Sequence, residues 1–187
     1  YQRPSSGAGS EELLLESDAD KSAPNWSADG RFIAYTATYP KTKDDIWVLP
    51  LHPKEAAGKG NPFVFLQTDF NESRPTISPD GRWMAYQSDE SSKNEIYIRP
   101  FPGVGGKWQV STRGATRPHW RRDGKELFFL GGDNKIWSAQ IKLGGSTVDI
   151  GAIAPLFQVN PFTSAGRDVY DVTADGQRFV VATPGGE

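Results

Sequence analysis

The chain has 187 residues, of which 36% are apolar and 12% aromatic, enough to build a folded core and too many for a disordered segment. Its 21 basic and 23 acidic side chains leave a net charge of −2, which argues against a nucleic acid or an anionic membrane as partner. The absence of cysteine excludes disulfides, thiol nucleophiles and cysteine-based metal sites and leaves the compartment open, and no apolar run is long enough to insert into a membrane.

Residues 1–16 hold two short candidate strands, Tyr1-Gln2-Arg3-Pro4 and Leu13-Leu14-Leu15. Each has a counterpart later in the chain. Tyr1-Gln2-Arg3-Pro4 matches Tyr97-Ile98-Arg99-Pro100, and Leu15 precedes Pro24 by the same nine residues that separate Leu66 from Pro75. They therefore correspond to the third and outer strands of a repeating unit that is cut open at the first residue.

Residues 23–68 read as a complete unit of four strands. Pro24-Asn25-Trp26 is followed by the turn Ser27-Ala28-Asp29-Gly30. The return strand places Phe32, Ala34 and Thr36 on one face and Ile33, Tyr35 and Ala37 on the other. Ile46 to Leu49 and Phe63 to Leu66 complete it. Residues 74–111 repeat the plan with Pro75 to Ile77, the turn at Asp80-Gly81, Trp83 to Gln87, Ile96 to Ile98 and Trp108 to Val110. Residues 117–159 do so with Pro118 to Trp120, Asp123-Gly124, Leu127 to Leu130, Ile136-Trp137 and Leu156 to Val159. The last unit, residues 169–183, reaches only Asp175-Gly176 and the return strand Arg178 to Ala182.

The Asp-Gly turn thus returns four times, with its glycines 51, 43 and 52 residues apart. A shift of 51 residues superposes Pro24, Ser27, Asp29, Gly30, Arg31, Ala34 and Tyr35 on Pro75, Ser78, Asp80, Gly81, Arg82, Ala85 and Tyr86 without a gap. A period of roughly 40–50 residues built of short strands is the signature of β-propeller blades. The fold class expected is all-β, a propeller of about four blades of four antiparallel strands, cut in mid-blade at both ends. Two outcomes are open. The N-terminal strands complete the C-terminal hairpin and close a small ring, or the edges stay open and recruit another chain or further blades. A segment of a longer propeller is the favoured reading, with self-association through open blade edges as its corollary.

Chemistry is sparse. His52 reads as a loop residue and His119 as a channel-lining or edge residue, and no nucleophile elbow accompanies them. Paired carboxylates of a glycosidase could come from Asp18, Asp20, Asp69, Glu72 or Asp168 before innermost strands, or from Asp44, Asp45, Asp89 or Glu90 after return strands. Asp29, Asp80, Asp123 and Asp175, with Gly30, Gly81, Gly124 and Gly176, read as structural turn residues. Gly103-Val104-Gly105-Gly106 lacks the helix and Gly-Lys-Ser/Thr of a phosphate loop. No metal or cofactor is called for.

The stretch Pro24 to Tyr35, followed by Asp45-Ile46-Trp47-Val48, resembles the WD40-like repeat of TolB-type β-propellers. The run from Ile98 through Phe128 is similar to the C-terminal propeller region of bacterial serine/threonine protein kinases. The later units depart from the pattern, with Arg121-Arg122 in place of Ser-Pro and Tyr170-Asp171-Val172 in place of Pro-x-Trp. The resemblance implies a non-enzymatic interaction or sensing module, with a protein or peptide partner, within a larger bacterial signalling or envelope protein of extracytoplasmic or periplasmic location. Alternatives are the gating propeller of a prolyl-oligopeptidase-type peptidase and a propeller glycosidase. In such propellers the loops into the innermost strands and those joining second and third strands share one face. Here these are Asn71 to Arg74, Arg113 to Arg117, Tyr39 to Asp44 and Asp89 to Asn94, and Glu72, Arg74 and Arg117 are the candidate contact residues.

Overall fold

The computed structural model of the chain describes residues 1–7, 9–39, 43–51, 60–161 and 169–184; His52 and Asp168 lie outside them. Fourteen strands are found among the described residues, in three four-stranded antiparallel sheets and a hairpin. The first sheet contains β1 (Asp20–Trp26), β2 (Phe32–Thr38), β3 (Asp44–Pro50) and β4 (Phe63–Leu66) in that spatial order. The second has β5 (Glu72–Ile77), β6 (Trp83–Ser88), β7 (Glu95–Pro100) and β8 (Trp108–Gln109). The third has β9 (Ala115–Trp120), β10 (Glu126–Gly131), β11 (Lys135–Leu143) and β12 (Val148–Gln158). The hairpin pairs β13 (Tyr170–Val172) with β14 (Phe179–Val181).

Each innermost hairpin closes on the same device. In the first, Gly30 at φ 72° donates its N–H to the Ser27 carbonyl at 2.9 Å. Asp29 Oδ1 accepts from the Ser27 hydroxyl at 2.7 Å and from the Arg31 N–H at 3.0 Å. The second and fourth turns repeat it, with Asp80 accepting from Ser78 and Arg82 and Asp175 from Thr173 and Gln177. In the third the Arg121 guanidinium replaces the hydroxyl, meeting both oxygens of Asp123 at 2.9 Å. These donors hold the carboxyls of Asp29 and Asp123 at about 2, below the ordinary 3.8, with the Ser27 hydroxyl and the Arg121 guanidinium as the respective leading causes.

The innermost strands differ from the sequence reading in one respect. Proline was expected to open each of them, yet the strands run back to Asp20, Glu72 and Ala115 and pass through the proline by a bulge. The residue before each proline is left-handed: Ala23 at φ 48°, Arg74 at φ 54° and Arg117 at φ 59°. Proline normally drives its predecessor toward extended backbone, so the conformation is imposed by the fold. Its reward is a turned-out N–H that stitches blades together. The Arg74 N–H donates to Thr36 Oγ1 of the preceding sheet at 3.0 Å, and the Arg117 N–H donates to Gln87 Oε1, the equivalent position one blade on, at 3.4 Å.

The second strands carry the core. Ile33, Tyr35 and Ala37 face back toward Leu14 and Leu15 of the N-terminal segment, whereas Ala34 faces forward to Ile77, Met84 and Tyr86. Met84 and Tyr86 face back, and Trp83 and Ala85 face forward to Leu127 and Phe129. Phe128 and Leu130 then face forward to Val169 and Tyr170. The period-two alternation of each β2-type strand therefore serves two interfaces at once. A fully buried side chain of this kind, such as Leu127 or Met84, stabilises the stack by about 1.5–3 kcal/mol.

Two edges depart from the expected layout. Gln2 and Glu12 exchange backbone hydrogen bonds at 2.9 Å, but this is an isolated bridge and Leu13 to Leu15 form no strand. Pro4 cannot donate to a longer ladder, and no inner strand lies beside the bridge among the described residues. β12 was expected only over Leu156 to Val159 and instead runs eleven residues. Its ladder with β11 absorbs two irregularities, one around Gly151 and one beside Pro155.

Candidate functional site

The three contact residues named from sequence are placed in two different settings. Arg74 and Arg117 occupy the corresponding bulge in neighbouring innermost strands, half-buried, with their backbone N–H groups tied to the blade before. The Arg117 carbonyl further accepts from the Tyr170 hydroxyl at 2.7 Å. His119 packs against Tyr170 in a tilted arrangement, with ring centroids 4.8 Å apart and planes at 59°. Glu72 is buried at 1% exposure. Oε1 accepts from the Thr68 hydroxyl, while Oε2 has no hydrogen-bond partner. Burial pushes its carboxyl above the ordinary range, the Thr68 bond opposes this, and the charges of Asp45 and Glu90 add to the upward push.

The acidic candidates are mostly structural. Asp45 is buried at 1% and accepts from Gln67 Nε2 at 2.8 Å, and Asp89 holds Asn71 through its N–H at 2.9 Å and its side chain at 2.6 Å. Among the described residues no group of three or more histidine, cysteine or acidic side chains could hold a metal, and no helix is long and apolar enough to cross a membrane.

On the loop face a cleft of about 610 Å³ lies between the second and third sheets. Its apolar wall is Val110, Phe129, Trp137, Ile153 and Pro155, and its rim carries Thr112, Arg113 and Asp133. Two loops shape it. The first, Ser111 to Gly114, is anchored from below by Glu95, which is fully buried. Glu95 Oε2 accepts from the Ser111 hydroxyl and Oε1 from the Gly114 N–H at 2.7 Å, and Lys93 Nζ lies 3.5 Å from that same Oε1. The second loop joins β10 to β11. There Asp133 Oδ1 accepts from Trp137 Nε1 at 3.0 Å and from the Lys135 N–H at 3.2 Å, and Lys135 Nζ pairs with Oδ2 at 3.3 Å. The indole bond leads the downward shift of the Asp133 carboxyl. A bond from the Gly132 N–H to the Gly114 carbonyl at 2.8 Å ties the two loops together.

Arg113 stands apart. Asp133 is already neutralised by Lys135, whereas no carboxylate among the described residues pairs with the Arg113 guanidinium. The cleft accordingly combines a rigid apolar wall with one unbalanced cation. On the opposite face a wider depression of about 1000 Å³ is lined by Arg121, Asp123, Lys125 and Glu126, but there Arg121 is tied to both Asp123 and Glu126. Sequence reasoning placed Arg113 in a face-forming loop without singling it out, and it missed Glu95, Asp133 and Trp137. The only advance signal was the Gly131-Gly132-Asp133-Asn134 turn itself.

Comparison with solved structures identifies the fold. TolB from Acinetobacter baumannii superposes with a TM-score of 0.63 over 90% of the chain, at 20% identity. The fold is a β-propeller. A protein assigned as TolB from Agrobacterium tumefaciens matches the propeller at a TM-score of 0.58 and 18% identity over 78% of the chain. A protein assigned as a 6-phosphogluconolactonase from Bacteroides uniformis matches at 0.54 and 18% over 88%. The chain spans 39%, 53% and 48% of these three structures respectively. No family model matches the chain, and no curated protein matches it.

Proposed function

We propose that this propeller is a non-enzymatic interaction or sensing module that engages a protein or peptide partner on its loop face. The observation that carries the reading is the pre-formed cleft between the second and third sheets, whose two loops are fixed by Glu95 and Asp133 before any partner arrives. A site ordered in advance loses little entropy on binding. The resemblance to TolB-type and kinase-attached propellers supports placement in a larger bacterial signalling or envelope protein, outside the cytoplasm, with the open blade edges joined to further blades or to another copy.

For the glycosidase alternative, the pair Asp45 and Glu72 is disfavoured by its burial. Asp45 and Glu72 are near enough for Asp45 to raise the Glu72 carboxyl, but both are 1% exposed and leave a sugar ring no access. Affinity capture with the purified chain, with and without chemical cross-linking, tests the proposal. A partner that protects loop-face residues from labelling is the expected result, and protection confined to the Asp-Gly turn face would overturn it.

A further inference from the structure

We infer that the cleft between the second and third sheets binds an extended peptide segment in which an acidic side chain sits beside large apolar ones, the acid pairing with Arg113. The inference deepens the interaction-module reading and rests on it. Three observations converge. The wall formed by Val110, Phe129, Trp137, Ile153 and Pro155 offers apolar contact, with Ile153 still 40% exposed. Arg113 is the one lining cation without a carboxylate among the described residues, so the occupant that balances the site carries one negative charge. A phosphate dianion would call for more than one cation or a cluster of backbone N–H donors, and the lining supplies a single guanidinium. A planar guanidinium matches a carboxylate in paired hydrogen bonds.

The third observation selects a peptide over a small apolar acid. Ile153 and Pro155 belong to β12, which is the outermost strand of its sheet and at eleven residues far longer than β4 or β8. No strand covers its outer side among the described residues. An edge of this kind presents backbone donors and acceptors to an extended chain. Arg113 and the apolar wall line one cleft, and two of the wall residues belong to the edge strand, so a segment of peptide meets all three together.

The test uses the whole chain against an array of immobilised octapeptides in which Asp, Glu, Lys or Asn is varied beside Leu, Phe or Ile, together with free 3-phenylpropionate and decanoate in a thermal-shift assay. Binders enriched in an acid next to large apolar residues are expected, with affinity reduced about tenfold or more by Arg113→Gln and by Ile153→Ser. Both residues are at the surface, and unchanged melting temperatures show that the variants fold. Peptides that bind regardless of Arg113 and Ile153 leave the interaction reading standing and overturn the cleft assignment. Binding of the free acids without any peptide overturns the choice of a peptide. Absence of all binding overturns both.

Discussion

Alanine at Gly131 is the sharpest probe of the cleft wall. A Cβ there would lie 2.6 Å from Trp137 Nε1, 2.7 Å from Trp137 Cδ1 and 2.7 Å from Asp133 Oδ1, all closer than folded proteins tolerate. The methyl must displace both the indole and the carboxylate, which disrupts the 3.0 Å bond between them. Overpacking of this kind costs about 1–3 kcal/mol. The exposed Asp133 bond adds little because solvent replaces it, so a loss of about 2 kcal/mol is expected, or roughly 4–8 °C in Tm for a chain of this size. Gly145 supplies the control, because nothing lies within 4 Å of a Cβ built there. Gly145→Ala should stay within about 0.5 kcal/mol of the parent. Equilibrium urea unfolding followed by tryptophan fluorescence measures both. Equal stability of the two variants would refute the argument that Gly131 is required by the Trp137–Asp133 contact.

Glu72→Gln should stabilise the chain at pH 7: burial raises the folded carboxyl above its ordinary 4.5, so a penalty exists above the folded value and is relieved as pH falls through it. Melting curves from pH 4 to 8 check this, with the gap between variant and parent closing toward acid; a variant less stable at pH 7 contradicts it. Asp29→Ala should cost about 1 kcal/mol at neutral pH through its lost turn hydrogen bonds. Because the folded Asp29 carboxyl is lowered from 3.8 to about 2, that contribution is complete above 3.8 and disappears as pH falls through about 2, which thermal melts in acid would reveal. Ala23→Gly should reverse the usual sign. Relief of the left-handed φ of 48° outweighs the added unfolded-chain entropy by up to about 1 kcal/mol, and a clear drop in Tm would refute the reading of this bulge as strained.

Much of this architecture was legible because it depends on local patterns. The Asp-Gly turns are determined by the left-handed glycine and by acceptors two residues away, and the alternation from Phe32 to Ala37 follows from the pleat. What escaped notice depends on distant partners or on an exception to a local rule. The pre-proline bulge at Arg74 and Arg117 runs against the preference of the dipeptide and exists because Thr36 and Gln87 of the preceding blade accept the turned-out N–H groups. Gly151 and Pro155 read as strand breakers, yet an outer strand absorbs both at ladder irregularities. Glu95 looks like an ordinary surface charge until a loop nineteen residues on closes over it. The Arg113 cleft needs two blades to exist at all, so no single stretch of sequence announces it.

The two-faced second strand has a consequence for how such a chain changes size. Since no sheet owns a core, and each core is shared between a backward face such as Met84-Tyr86 and a forward face such as Ala34, the adhesive surfaces obey one rule at every junction. Insertion or loss of a whole unit brings together faces of the same two types, whereas loss of half a unit strands one of them in water. Blade number can thus step by one while each junction still pairs a forward with a backward face, and the Arg113 cleft, confined to a single junction, is kept wherever its two blades stay adjacent.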